Sequence, residues 1–146
     1  MTSSPAQLRY LADAVSTASP GALLVMLYDR LVLDIRRAAD AQEAADRAIA
    51  TEQIRHAQQI IAELRTSLRM DDWEGANNLA SLYGFILGEL IAVNLEPDHR
   101  RLRAVEQIVT GLRDSWREAT ATVLEAARAP SDSDPNPAVR QVAWVG

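Results

Sequence analysis

The chain has no cysteine, which excludes a disulfide framework, a thiol nucleophile and a cysteine zinc site, and fits a reducing compartment. Lysine is missing too. All 15 basic residues are arginine, scattered along the chain against 20 acidic ones, and the net charge of −5 argues against nucleic acid as a partner. The one local basic cluster, Arg100, Arg101 and Arg103, sits near a predicted helix start. There are 2 histidines, His56 and His99, on different predicted helices and without a Glu-x-x-His partner, so no metal site is expected. Long apolar runs are absent, and none approaches the ~20 residues of a membrane span. Residues 1–19 lack the basic start and continuous apolar block of a signal peptide. These absences predict a soluble, cytoplasmic protein without membrane insertion. No glycine-rich phosphate loop, Gly-x-Ser-x-Gly turn or strand pattern is found, so neither catalysis nor a cofactor is expected.

What is present is helical periodicity. The 146 residues make one domain, long enough to bury about 70% of the unfolded surface without a staple. Ser19 as N-cap and Pro20 at the first helical position open a long helix. Its Leu24, Val25, Leu27, Tyr28, Leu31, Val32, Ile35 and Ala38 form one apolar arc opposite Asp29, Arg30, Arg36 and Arg37. Met26 and Leu33, two turns apart, fall together on the charged side. A wider core, a dimer contact or a groove for a partner helix would each explain that second strip. No glycine or proline marks where this helix ends, and the turn is placed near residues 42–46.

The second helix carries Ile49, Ile54, Ala57, Ile60, Ile61, Leu64 and Leu68 at steps of three and four, with His56 on its surface. Asp71 and Glu74 resemble a capping box for a third helix, from about Trp73 to Asn94, whose core face is Leu79, Leu82, Tyr83, Ile86, Leu90 and Val93. Along its side Ala76, Ala80, Gly84, Gly88 and Ala92 recur every four residues. Such a ridge predicts close packing, with a neighbouring helix inside the bundle or, as the alternative, with a partner in a groove. The fourth helix starts near Asp98, and its seam of Leu102, Val105, Val109, Leu112, Trp116, Ala119, Val123 and Ala126 has no slip, which predicts a central position. The expected architecture is all-α, an antiparallel four-helix bundle over residues 19–129. Residues 1–18 form an arm or short helix with Leu8, Tyr10, Leu11 and Val15 as its apolar set. Residues 130–146, with Pro130, Pro135 and Pro137 among Ser and Asp, read as a flexible tail that ends on Val142, Trp144 and Val145.

One ordered set of residues carries more. Ser19-Pro20-Gly21 with Leu27-Tyr28-Asp29, then Ile54, Ala57, Ile60, Ile61 and Leu64, then Asn78-Leu79 with Leu82-Tyr83, Asn94, and Leu112-Arg113 with Trp116 resembles the flagellar secretion chaperone FliS family over residues ~6 to ~117. Arg30, Phe85, Val93-Asn94 and the Trp73 entry depart from the family pattern. The resemblance implies a chaperone without ATP that grips the C-terminal segment of flagellin and prevents premature polymerisation before type III export. Other flagellar regulatory or export proteins are further candidate partners. It also implies an arm that lies in the client groove as a displaceable lid. Candidate client contacts are Tyr28, Tyr83 and Asn94, which match family positions, with Phe85, which stands where the family commonly has tyrosine. Met26 and Leu33 join them from the surplus strip, and Tyr10 from the arm. Core packing for the tyrosines and a helix cap for Asn94 are the alternatives, as is a structural bundle or adaptor that homodimerises through the surplus strip.

Overall fold

The computed structural model describes residues 20–68 and 75–127. Four helices, α1 (Pro20–Glu43), α2 (Arg47–Ser67), α3 (Ala76–Leu95) and α4 (His99–Ala127), form the expected bundle, with no strand among the described residues. Tyr10, the Asp71 and Glu74 capping box, the N-terminal arm and the tail lie outside the described residues.

The turn between α1 and α2 falls at the expected place and explains why no breaker marks it. Ala45 adopts φ 59°, the left-handed conformation that usually selects glycine. Around it the Asp46 N–H bonds the Ala41 carbonyl at 2.8 Å and the Ala45 N–H bonds that of Gln42 at 3.1 Å, the paired bonds of a Schellman motif. Asp46 then caps α2 by accepting from the Ile49 N–H at 3.2 Å. Asp98 caps α4 the same way, accepting from the Arg101 N–H.

Helix α1 packs on α2 and α4, α3 closes the square from the far corner, and consecutive helices run antiparallel. A ladder of ion pairs fixes the α1–α4 register. Asp29 pairs with Arg117 at 2.8 Å, Arg36 with Glu106 at 3.0 Å and Asp40 with Arg103 at 2.5 Å. At the start of α1 the Thr120 side chain lies so close to the helix backbone that a Cβ on Gly21 would be 2.9 Å from its Oγ1.

Two expectations are corrected. The central helix is α1, which buries Tyr28, Leu31, Val32, Asp34, Ile35, Ala38, Ala39 and Ala41. Helix α4 buries only Leu102, Val105 and Val109. Its seam rises to the surface through half-buried Leu112 and Trp116, and Val123 is 66% exposed. An unbroken heptad records that a helix has an apolar stripe, not that a neighbour covers its whole length. Of the small-residue ridge of α3 only Ala76 is buried in the bundle, and Ala80, Gly84, Gly88 and Ala92 are partly or fully exposed. A Cβ on Gly84 or Gly88 would meet nothing within 4 Å.

Candidate functional site

At the centre of the bundle Tyr28 and Tyr83 are fully buried and their hydroxyls lie 2.6 Å apart. The Tyr28 hydroxyl also bonds the side chain of Trp116. Burial pushes both phenols above their ordinary range; the bonds to Tyr83 and Trp116 partly offset this for Tyr28, whereas the bond to Tyr28 raises Tyr83 further. Both side chains are therefore neutral, satisfied core groups that set the spacing of α1 and α3. Nearby, between α1 and α2, the Asp34 carboxylate is completely buried. Arg30 Nε donates to its Oδ1 at 3.0 Å and His56 Nδ1 to its Oδ2. Sequence reasoning placed His56 on the surface and did not single out Asp34; a carboxylate one turn from an arginine looks like an ordinary exposed pair.

Apolar groups remain on the outside. Met26 is 47% exposed on the back of α1, with Leu33 half-buried two turns on. Phe85 is 51% exposed on the back of α3. Each of Met26 and Phe85 stands two residues from the tyrosine of its helix, about 200° around the axis. Since the tyrosines face each other, Met26 and Phe85 point away from one another. The strip of α1 and the face of α3 are thus separate surfaces.

The α3 face is the larger. Besides Phe85 it exposes Ile91 and Leu95, the latter by 76%, with Gly84, Gly88 and Ala92 between them. Helix α3 has a single charge, Glu89, bound by Arg101 Nε at 2.8 Å. By length and composition it could cross a membrane, yet only 28% of its apolar window is buried in the bundle. A core helix would bury most of that surface. Ile91 and Leu95 were missed by the sequence reading, although the near absence of charge on both sides of α3 is a legible signal. A third apolar surface lies at the Pro20 end, where Pro20, Gly21, Trp116, Ala119, Thr120, Val123 and Leu124 line a groove of about 330 Å³.

Asn94 belongs to none of these surfaces. Helix α3 continues through it to Leu95, with Glu96 as the C-cap, so the helix-cap alternative is corrected. It lines a cavity of about 260 Å³ at the opposite end of the bundle, together with Gln42, Ala45, Arg47, Ala50, Thr51 and Pro97. Gln42 spans this end. Its Nε2 donates to the Val93 carbonyl at 2.9 Å, and its Oε1 accepts from the Asp98 N–H at 3.1 Å.

No group of three or more His, Asp or Glu side chains that could hold a metal occurs among the described residues. A helical bundle with apolar surface left over on two helices is a module for binding another polypeptide. A family model described as Flagellar protein FliS matches residues 2–123. The chain is 36% identical over 110 residues to the flagellar secretion chaperone FliS of Bacillus subtilis (strain 168), covering 75% of this chain and 82% of that protein. It is 30% identical over 108 residues to the FliS of Salmonella typhimurium (strain LT2), covering 73% and 80%. A solved bacterial flagellar chaperone shares the fold with a TM-score of 0.67 at 20% identity, over 80% of this chain and 96% of that one. The chain belongs to the FliS family of flagellar secretion chaperones.

Proposed function

We propose that this protein binds the apolar C-terminal segment of flagellin in the cytoplasm and keeps it from polymerising before export, by contact alone and with no catalytic step. A segment that is amphipathic and unfolded by itself exposes apolar strips that aggregate. Laying them on a preformed apolar surface hides them and orders the segment. The observation that carries this reading is the outer face of α3, where the helix's one charge, Glu89, is paired to Arg101 and Phe85, Ile91 and Leu95 stand around glycines that nothing in the bundle requires. Met26 and Leu33 on α1 are proposed as a second contact strip, and Tyr28 and Tyr83 as the pair that holds the two faces at their spacing. Asn94 contributes from the cavity, and Tyr10 from the arm, which competes for the groove.

The glycines give a test in which stability and binding move in opposite directions. Each mid-helix glycine destabilises α3 by ~1 kcal/mol relative to alanine. Gly84→Ala and Gly88→Ala together should therefore raise the denaturation midpoint, because no atom obstructs the added methyl groups. A flagellin C-terminal peptide that approaches this backbone should then bind the double variant about tenfold more weakly in calorimetry. Unchanged affinity would remove the face from the site. A protein that ignores the peptide and remains dimeric at micromolar concentration would be a self-associating bundle.

A further inference from the structure

The cavity at the Gln42 end has the chemistry of a carboxylate receptor. Ala45, Ala50 and Pro97 make its apolar wall, while Arg47, Thr51 and Asn94 bring polar groups. Gln42 is fully engaged in tying the two turns together, which forms the cavity before any ligand arrives. Three of the acids around it are engaged as well, while Glu96, exposed beside Pro97, has no side-chain ion pair or hydrogen bond among the described residues. Asp46 caps α2, Asp98 caps α4, and Glu43 faces His99 at 3.7 Å and Arg103 at 3.8 Å. Arg47 differs from them, since among the described residues its guanidinium has no ion pair or hydrogen bond. It also occupies the first position of α2, where the helix dipole disfavours a cation. The Asn94 amide, on the facing helix, is likewise without a partner among the described residues and carries both a donor and an acceptor.

We infer that this cavity receives the free α-carboxylate at the end of the bound client segment. Arg47 takes the carboxylate through its fork of N–H donors. Asn94 offers its oxygen to the last peptide N–H, and the alanine and proline wall takes the last side chain. The volume of about 260 Å³ is below that of pockets for drug-sized ligands and suits one terminal residue. An acidic side chain of the client carries the same group. The chain end is the source that fits, because the α1–α2 turn at Ala45 and the α3–α4 turn at Pro97 both wall the cavity.

This inference rests on the client being a C-terminal segment, and the experiment separates the two. The full-length protein is titrated calorimetrically with a synthetic peptide of the flagellin C-terminal segment, made once as the free acid and once as the C-terminal amide. The amide should bind about tenfold more weakly, the loss expected for one charge-assisted contact. Arg47→Gln, at an exposed position that leaves the core untouched, should weaken the acid by the same factor and leave the amide unchanged. Equal binding of acid and amide overturns the inference and leaves the client reading standing. So does an Arg47→Gln effect of the same size on both peptides. Binding of neither peptide overturns both.

Discussion

Asp34 is a buried charge with two half-exposed partners, and this asymmetry decides which substitution hurts. Removing the carboxylate returns Arg30 and His56 to water, where each is readily solvated. Removing both partners strands a carboxylate that water cannot reach. Asp34→Asn should therefore destabilise by about 1 kcal/mol, and the Arg30→Ala, His56→Ala double variant by about 3 kcal/mol, as read from urea midpoints. The reverse order would mean that solvent enters the α1–α2 interface. The tyrosine pair acts at the other end of the pH scale. Both phenols are raised above the ordinary value of 10.0, so their contribution is complete below about pH 10, the unfolded value. As pH rises further the unfolded state ionises first and stability falls. Denaturation midpoints from pH 8 to 11.5 should decline above about pH 10, and Tyr83→Phe should flatten the decline. An equal slope in that variant would place the titration elsewhere.

Helices were legible from periodicity, and covering partners were not. The apolar arc of α1, from Leu24 to Ala38, was read correctly at every position but Val25, because the others pack in or against the core. The seam of α4 was read equally clearly and led to the wrong centre, because a stripe of apolar residues is a property of one helix whereas burial belongs to two. The α1–α2 turn could be placed but not explained, since Ala45 occupies a position where glycine is the usual signal. In the candidate site, Met26 was legible as an apolar residue on a charged face, while the cavity around Asn94 was not, because it joins residues about fifty positions apart. The length of α4 gives a paired prediction. Val109→Asp puts an unpaired charge in the core and should destabilise by more than about 3 kcal/mol. Val123→Asp, on the exposed stretch, should stay within about 0.5 kcal/mol, and a large loss there would show that this stretch is covered in the free protein.

For the molecule as a whole, the separation of its apolar surfaces constrains any client. A single short helix cannot touch Met26 on the back of α1 and Phe85 on the back of α3, so a segment that uses both must run around the bundle. Met26→Glu and Phe85→Glu should then each weaken peptide binding by about 1–2 kcal/mol, with effects that add within about 0.5 kcal/mol because the sites share no neighbours. A variant without effect would confine the client to one side. The Gln42 amide adds a further property of the whole, because it fastens the α1–α2 turn to the α3–α4 turn at one extremity of the bundle. It acts there as a rivet, holding the ends of two helices at one separation, so a guest polypeptide that reaches the Asn94 cavity finds a footing of fixed dimensions.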